Sequence, residues 1–528
     1  MRLFTLGAYV LYDTTEARYG EVARLMLASG DWITPQNDPG VPFWAKPPLY
    51  AWAGAASMAV FGVNEFAVRL PSLLFFAATC AIVFAWGREL VPAPGYRPRA
   101  GLVPGQPSAY DAAGRHAAAR ADTALRRATG LAAVFILATM PLAFVSAGAV
   151  MTEASLVFCT TWLIAAFRFA VVARGASDRP AAPVWRWGFF VAAGLGMLAK
   201  GPVALVYAGL PIFAWTLLHN RWLTLWRGLP WLRGTLLAGA ICAPWYIAAE
   251  IRTPGYWEYF FIGEHYKRFT EPGWAGDRYG NAHTEPHGQI WIDWLAGAAP
   301  WTVAAGALVL VALWRGIARR RAAAPAPTAA SRQGRATGVS RHGSAPWSRD
   351  ELVYLLLAAF CAQGFFTMSG NLIWTYSLPA LPALALLLAP WLAGADRWAP
   401  ALRRAAAVLP LIFAIGFWSW APSYADGRSV ARLVADWRSA EADAPGELLF
   451  VRAALPHSAK FYSRATARAV SLDEALALVD ADRTVYFAIG HVDDDHASIP
   501  PEFAERFGDR IQLLGSYRHY SLFRHRGH

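Results

Sequence analysis

The stretch AVRLPSLLFFAATCAIVFAWGREL, residues 67–90, decides the fold class of this chain. It is long and apolar enough to cross a bilayer as one helix, which takes about 20 residues. Comparable runs recur along the chain, at Thr129–Gly148, Thr152–Val172, Trp187–Gly201, Pro202–Leu218, Gly234–Ile251, Trp291–Trp314, Leu352–Met368, Leu372–Leu392 and Ala401–Ala421. The two runs between 187 and 218 are shorter and are interpreted as a hairpin of spans. The pattern predicts an α-helical polytopic membrane protein with about ten crossings.

Composition agrees with a membrane location. Hydrophobic residues make up 56% of the chain and charged residues only 16%, whereas a soluble protein has about 25% charged residues. The net charge of +12 does not indicate a nucleic-acid partner, because the basic residues lie mostly between the apolar runs, where they orient membrane proteins. All four cysteines fall inside apolar runs, so no disulfide framework is predicted.

The basic connections fix the predicted orientation. By the positive-inside rule five of them are cytoplasmic: Arg88–Arg127, Arg174–Arg186, Arg221–Arg233, Arg315–Arg349 and Arg397–Arg404. The first and fourth are predicted to be disordered insertions. The remaining segments are then predicted to lie on the outer face, and we call them the outer segments. They are Met1–Phe66, Gly148–Met151, Lys200–Gly201, Arg252–Gln289, Ser369–Asn371 and everything after Ser423. This places Met1 outside with no span before it, so we expect a start site placed too far downstream and a truncated first helix.

The chain divides into two predicted domains. Residues 1–422 form the transmembrane domain, and residues 423–528 form a small extramembrane α/β domain. Strands are predicted at Leu448–Val451, Val485–Ile489 and Tyr517–Phe523, and a helix at Asp473–Val479. We find no catalytic motif in the C-terminal part.

The outer segments hold most of the unusual polar residues. Asp13 and Glu16 lie three apart, so one helical turn can present both. They are candidates for a general base or a metal ligand, and the alternative is a capping pair at a helix start. Lys46, before two prolines, is a candidate for binding phosphate, or else an interfacial lysine.

Two charged residues border apolar runs. Glu153 begins one span and Lys200 lies between two. A charge in a membrane segment is costly, so each is a functional candidate by default. The alternative is that both simply lie in the interfacial zone.

The connection Arg252–Gln289 carries a third group of polar residues. Glu264, His265, His283 and His287 are candidate ligands of a divalent metal, although their spacing matches no tight metal motif. Arg268 and its basic neighbours could neutralise phosphates. The alternative is a charged interfacial loop.

These segments together resemble the aminoarabinose-transferase-like glycosyltransferases, relatives of the protein O-mannosyltransferases. The resemblance is carried by Asp13–Arg18, Gly30–Trp32, Phe43–Leu49 with Lys46-Pro47-Pro48, Phe61–Pro71, Leu198–Pro202, Pro244–Tyr246, Phe260–Phe269 and Tyr376–Ala380. The chain departs from the family at Glu153, where an Asp is usual. It also departs at Ala45, where aminoarabinose members often carry an acid, and at Asn371, where many relatives carry a Lys.

The resemblance implies a GT-C fold and a sugar donor linked to a polyprenyl phosphate. It also implies that the sugar is transferred on the periplasmic face of the bacterial inner membrane, to a glycolipid of the lipid A type or to a protein. It assigns Asp13, Glu16 and Glu153 to catalysis, and Arg18, Lys46, Lys200 and Arg268 to the donor phosphate. It names no certain cofactor and leaves a divalent metal optional.

Two other functions fit the spans. A transporter or flippase of lipid-linked sugars would share the cationic pockets, but it would need polar residues through the membrane midplane, where the sequence has few. The chain could also be a structural membrane subunit whose C-terminal domain binds a partner. This function would not explain why the polar motifs gather on one face of the membrane.

Overall fold

The computed structural model describes residues 1–90, 109–174, 181–280, 283–322, 348–394, 399–451, 453–481, 483–491 and 505–526. Most of residues 1–426 are helical. The α-helices of this part are Arg2–Thr5, Thr15–Ser29, Leu49–Phe61, Glu65–Gly87, Ala109–Ala138, Pro141–Ser146, Glu153–Ala170, Pro183–Arg186, Gly188–Lys200, Val203–His219, Trp222–Gly228, Trp231–Arg252, Arg268–Thr270, Gln289–Gly297, Trp301–Ala322, Arg349–Phe366, Leu381–Ala393, Ala399–Ala407 and Leu409–Asp426. Val172–Arg174 and Trp374–Ala380 are 3₁₀ helices, and Glu258–Lys267 is a π-helix.

Within the described residues, five helical segments are long and apolar enough to cross a membrane. They are Glu65–Gly87, Glu153–Ala170, Trp231–Arg252, Trp374–Ala393 and Pro400–Asp426. A sixth results if Gln289–Gly297 and Trp301–Val311, bent by 99°, form one broken span. The expected ten crossings are not reached by this measure, because several apolar runs form short or interrupted helices, such as Val203–His219.

The helix Glu65–Gly87 shows how the sequence sets these elements. Its N-cap Asn64 accepts a hydrogen bond from the backbone N–H of Ala67 at 2.9 Å, and Glu65 lies in the first turn, where a negative charge is favoured. Pro71 lies inside the helix. This helix packs against Glu153–Ala170, which in turn packs against Gly188–Lys200.

Both predicted disordered insertions are corrected in part by the structure. Residues 109–127 of the first belong to the helix Ala109–Ala138, because Ala-rich sequence favours helix strongly. Residues 315–322 of the second continue the helix Trp301–Ala322. Residues 91–108 and 323–347 lie outside the described residues.

The C-terminal part contains a five-stranded sheet. Its strands are β3 (Glu447–Val451), β4 (Arg468–Val470), β5 (Val485–Gly490), β6 (Gln512–Ser516) and β7 (Tyr520–His525), in the order β4-β3-β5-β7-β6. β3 pairs in parallel with β4 and β5, and β7 is antiparallel to β5 and β6. Helices Ala431–Asp443, His457–Ser463 and Leu472–Asp480 and the 3₁₀ helix Gly508–Arg510 accompany it.

The predicted strands and helix of this part are present, with the last strand three residues later than expected. Ser471 caps the helix Leu472–Asp480 by accepting a hydrogen bond from the Glu474 N–H. The predicted boundary at 422/423 stays a prediction; the helix Leu409–Asp426 runs across it.

The first outer segment joins the two parts. After the helix Thr15–Ser29 it forms a small hairpin, β1 (Gln36–Asp38) and β2 (Val41–Pro42). The helix His457–Ser463 packs against Thr15–Ser29. Lys460 and Asp38 form an ion pair of 2.5 Å across this contact, and the Tyr462 hydroxyl donates to Glu65 at 2.8 Å. The C-terminal sheet is therefore held beside the polar motifs of the first segment.

Candidate active site

A cavity of about 490 Å³ lies where four of the predicted outer segments meet. Its polar side carries Lys46, Lys200, Glu264, His265 and Arg268. Its other walls are largely apolar and include Val203, Val206, Tyr207, Phe260, Phe261, Phe269, Phe365 and Phe366. A pocket that combines cationic groups with a long apolar wall suits an amphipathic ligand that has an anionic end.

Each cation reaches the cavity from a different element. Lys46 lies just before the helix Leu49–Phe61, and Arg268 follows the π-helix Glu258–Lys267. Lys200 is the last residue of the helix Gly188–Lys200, which ends at Gly201 with φ +76°. A Cβ at Gly201 would lie 2.6 Å from the Phe260 ring, so only glycine permits this close approach.

Carboxylates balance the three cations. Glu264 lies 2.9 Å from Lys46 and 3.3 Å from Arg268, which also contacts Asp277 at 3.1 Å. Lys200 lies 2.8 Å from Glu153. Three positive and three negative groups therefore give no net charge. Burial alone would raise the pKa of Glu264, but Lys46 and Arg268 outweigh it and hold that pKa below its ordinary value.

Glu153 anchors Lys200 to the edge of the cavity. Besides the lysine, its carboxylate accepts hydrogen bonds from Thr152 and Thr375, both at 3.1 Å. The Lys200 ammonium also lies 4.7 Å from the centre of the Tyr376 ring. Glu153 is buried and fully bonded, which orients the lysine.

The proposed base Glu16 lies elsewhere. It is 1% exposed and forms a bidentate ion pair with Arg69, at 2.8 Å to Nε and 2.7 Å to Nη2, while the Val150 N–H donates to it at 3.1 Å. Arg69 also donates to the carbonyls of Leu6, Tyr9 and Val10. Both carboxylate oxygens are committed, so this geometry does not favour Glu16 as a general base.

Asp13 also lies away from the cavity. Its carboxylate accepts hydrogen bonds from the backbone N–H of Ser458, at 3.0 Å, and from the Ser458 hydroxyl. Burial raises the pKa of Asp13, although these hydrogen bonds oppose the rise. Neither acid caps the helix Thr15–Ser29, whose N-cap is Thr14 without a side-chain bond. Asp13 instead ties the first outer segment to the C-terminal domain.

Arg18 stays close to the site without lining the cavity. Its guanidinium donates to the Tyr279 carbonyl and lies over the rings of Tyr19 and Phe43, at 5.5 and 5.9 Å from their centres. Of the four predicted phosphate-binding residues, Lys46, Lys200 and Arg268 are brought together and Arg18 is not.

The four predicted metal ligands are not assembled into one site. Within the described residues no group of three or more His, Cys, Asp or Glu side chains is placed to hold a metal ion. Glu264 is occupied by Lys46 and Arg268. His265 contacts the Phe260 and Lys200 carbonyls at 2.8 and 3.3 Å, and burial lowers its pKa. His283 and His287 do not line this cavity.

Asn371 is a site residue that sequence reasoning noted only as a departure. Its amide nitrogen donates to the carbonyls of Arg268 and Glu271, both at 2.6 Å, and its side-chain oxygen accepts from the Gly273 N–H at 2.9 Å. Asn371 therefore fixes the chain that carries Arg268. Asp277 and Tyr376 were also missed, and only their place in the fold identifies them.

The chain is similar in sequence to known glycosyltransferases. Residues 45–97 and 120–260 match two family models, both described as dolichyl-phosphate-mannose-protein mannosyltransferase. An undecaprenyl phosphate-alpha-4-amino-4-deoxy-L-arabinose arabinosyl transferase of Pseudomonas savastanoi pv. phaseolicola is 28% identical over 389 residues, which is 73% of this chain and 58% of that protein. The protein of the same name from Edwardsiella ictaluri is 30% identical over 271 residues, 50% of this chain and 41% of that one.

A crystal structure of ArnT from Cupriavidus metallidurans bound to undecaprenyl phosphate has the same fold. The TM-score is 0.65 at 17% identity, and the match covers 99% of this chain and 95% of that one. The chain therefore shares its fold with ArnT. The predicted resemblance to the aminoarabinose transferases and protein O-mannosyltransferases and the predicted GT-C fold are both confirmed. The chain spans less than two thirds of the length of the curated relatives named above.

Proposed function

We propose that this chain is a membrane glycosyltransferase that moves a sugar from a polyprenyl-phosphate donor to an acceptor on the periplasmic face of the bacterial inner membrane. The observation that carries the proposal is the cavity that combines Lys46, Lys200 and Arg268 with an apolar wall. A polyprenyl phosphate has the same two-part chemistry. The relatives are named for such donors, and the similar ArnT structure holds undecaprenyl phosphate.

The three cations would stabilise the leaving group. During transfer the bond between the sugar C1 and the phosphate oxygen breaks, and negative charge builds up on that oxygen. Ammonium and guanidinium groups fixed beforehand by Glu264, Glu153 and Asp277 stabilise this charge without having to reorganise. The polyprenyl chain lies along the aromatic and aliphatic wall, so that the phosphate stays at the polar side.

Glu264 is the carboxylate best placed to take the acceptor's proton. Among the described residues that line the cavity, it is the one acid. With the cavity free of phosphate, Lys46 and Arg268 lower its pKa. A bound phosphate would draw these cations toward itself and let the carboxylate become more basic. The acceptor oxygen or nitrogen then bonds to C1, its proton passes to Glu264, and polyprenyl phosphate leaves. Glu153 acts by positioning Lys200.

The acceptor is a glycolipid or a protein. A direct test compares intact masses of membrane glycolipids and periplasmic proteins from wild-type and deletion cells. The deletion strain is complemented with the wild-type gene, with Lys46→Ala, or with Lys267→Ala as a matched control, since Lys267 is an exposed lysine directly before Arg268 that does not line the cavity. Loss of one fixed sugar mass, restored by wild type and Lys267→Ala but not by Lys46→Ala, is the expected result. It would also name the sugar and the acceptor.

An unchanged set of glycans, with a lipid-linked sugar building up on the cytoplasmic side, would replace the transferase with a flippase. Restoration by Lys46→Ala would leave the transferase in place but remove this cavity as its donor site.

A further inference from the structure

A further cavity, of about 710 Å³, lies at the end of the last long apolar helix, Leu409–Asp426. Its walls come from Asp13 in the first outer segment, from residues 426–430 at the end of this helix, and from residues 516–520 of the C-terminal domain. It shares no lining residue with the cavity proposed to bind the donor, here called the donor cavity.

The last turns of this helix carry the aromatic residues that mark a bilayer surface. Pro400–Asp426 is one of the helical segments long and apolar enough to cross a membrane. Trp418 and Trp420 are 57% and 59% exposed, and the ring of Tyr424, one turn further, lies 4.2 Å from that of Trp420. Tryptophan and tyrosine concentrate at the depth of the lipid headgroups. The cavity, which begins at Asp426, therefore opens at that depth.

Arg428 places a positive charge beside these rings. It follows the helix after Gly427, and its guanidinium folds back over the ring of Tyr424, 3.9 Å from the ring centre. Its backbone carbonyl accepts a hydrogen bond from the Asp13 N–H at 2.9 Å, which fixes the residue to the first outer segment. Long cationic side chains near the end of a span reach the polar interface in this way.

Arg518 brings a second cation to the same end of the helix. A Cβ at Gly427 would lie 2.6 Å from Nη1 of Arg518, so this guanidinium packs against the backbone of Gly427. Both Arg428 and Arg518 are exposed, and neither has an ion-pair partner among the described residues. Two guanidinium groups beside one glycine leave their N–H groups available to a single phosphate.

The acids of this cavity are already engaged. Asp426 pairs with Arg432, and the Asp13 carboxylate accepts hydrogen bonds from the backbone N–H and the hydroxyl of Ser458. Three arginines against two aspartates leave the cavity with an excess of positive charge. A ligand with an anionic head and an apolar tail fits this charge and the exposed aromatic rings beside it.

We infer that this cavity binds the headgroup of an anionic phospholipid of the bilayer, with the phosphate on Arg428 and Arg518 and the acyl chains along the exposed face of Leu409–Asp426. A free phosphate ion would meet the same two arginines but would leave the exposed tryptophans without a role. The bound lipid joins the last helix to the first outer segment and to the C-terminal domain. This inference does not depend on the proposed transferase function.

The test titrates phosphatidylglycerol into the purified full chain in detergent and counts bound lipids by native mass spectrometry. Phosphatidylcholine, which carries the same phosphodiester but no net charge, is titrated in parallel. We expect one phosphatidylglycerol to bind more tightly than phosphatidylcholine. Arg428→Ala and Arg518→Ala should each weaken it by about tenfold, the size expected for loss of a hydrogen bond between charged groups.

Control variants locate the site. Arg428→Lys keeps the charge but not the planar fork, so it should weaken binding less than Arg428→Ala. Arg506→Ala removes an exposed arginine of the C-terminal domain that does not line this cavity, and should leave binding unchanged. Lys46→Ala/Arg268→Ala, in the donor cavity, should also retain this phosphatidylglycerol. A thermal melt without added lipid confirms that each variant is folded.

The inference is wrong if phosphatidylcholine binds as tightly as phosphatidylglycerol, or if Arg428→Ala/Arg518→Ala retains the wild-type affinity. Loss of the lipid in Lys46→Ala/Arg268→Ala would also overturn it and would place the lipid in the donor cavity. Displacement of the lipid by an equal concentration of inorganic phosphate would assign the two arginines to a free anion instead. None of these results bears on sugar transfer, which the comparison of glycans in deletion cells tests separately.

Discussion

Two buried clusters of ions in this chain use the same residue types for different ends. In one, Arg69 and Glu16 pair with each other, and Arg69 donates further to three backbone carbonyls; both side chains are at most 1% exposed. In the other, Lys46, Glu264 and Arg268 line a cavity of about 490 Å³. The first cluster has no position left for a ligand, whereas the second has an open side.

The difference shows that a charged motif is not in itself a site. A buried ion pair whose hydrogen-bonding groups are all used stabilises or specifies the fold, whereas a pair beside a cavity can exchange its partner for a ligand. Substitutions in the Arg69–Glu16 cluster should therefore lower the stability of the fold, whereas substitutions in the cavity cluster should lower activity.

Removal of Arg69 should have the largest effect. Arg69→Ala leaves the Glu16 carboxylate buried without a counter-charge, and the loss of one partner of a buried pair costs roughly 3–5 kcal/mol. We expect little folded protein in detergent and a strongly lowered melting temperature. A variant that keeps the wild-type melting temperature would show that Glu16 is solvated or protonated there.

Removal of Lys46 should abolish activity and leave the fold intact. Lys46→Ala should lower kcat/KM for transfer by about a hundredfold or more, by analogy with loss of one fixed donor to a developing negative charge. The melting temperature should change little, because Glu264 keeps its ion pair with Arg268 when Lys46 is removed. Lys267→Ala is the control. Similar activity for both alanine variants would remove Lys46 from the site.

Loss of the Asn371 amide should have an intermediate effect. Asn371→Asp replaces the amide that donates to the Arg268 and Glu271 carbonyls with acceptor oxygens, so the chain that carries Arg268 loses its anchor. We expect kcat/KM to fall by roughly tenfold, equivalent to one or two hydrogen bonds. The loss should appear mainly in KM for the donor, whereas a structural role alone would lower the melting temperature and leave KM unchanged.

Asp13 should have the smallest effect, and that effect should depend on pH. Burial raises its pKa in the folded protein, so the folded state binds more protons than the unfolded state between the ordinary Asp value and the raised one. Stability therefore falls as pH rises through that window and is level above it. Asp13→Asn keeps an oxygen for the Ser458 N–H and should abolish this dependence. Melting curves from pH 4 to 8 provide the measurement; an unchanged pH profile in Asp13→Asn would exclude Asp13 as the cause.

Apolar periodicity predicted most of the helices, because span length is set by the bilayer and not by tertiary contacts. The break between Gln289–Gly297 and Trp301–Val311 was not predictable in this way, since a 99° bend leaves the apolar pattern intact. Strands β4 and β6 were missed for a different reason. β4 is only three residues long, and β6 is mostly exposed, so neither gives a strong apolar signal.

The candidate site was predictable in part. Lys46, Lys200 and Arg268 were named from the sequence: Lys46 and Arg268 as candidates to bind phosphate, and Lys200 because a charge between two apolar runs is costly. The sequence could not show which acids join them. Asp13 and Glu16 lie only three residues apart in sequence, but their carboxylates bind Ser458 and Arg69, which are distant along the chain. Glu264 was predicted as a metal ligand, and its ion pairs with Lys46 and Arg268 appear only in the fold.

The most direct test of the account is the binding of undecaprenyl phosphate by the purified chain, measured by native mass spectrometry. We predict one bound lipid on the wild type and on Lys267→Ala, and strongly reduced binding to Lys46→Ala and to a Lys46→Ala/Arg268→Ala double variant, with all four proteins folded. Equal retention of the lipid by the wild type and by the double variant would contradict the claim that this cavity holds the donor phosphate.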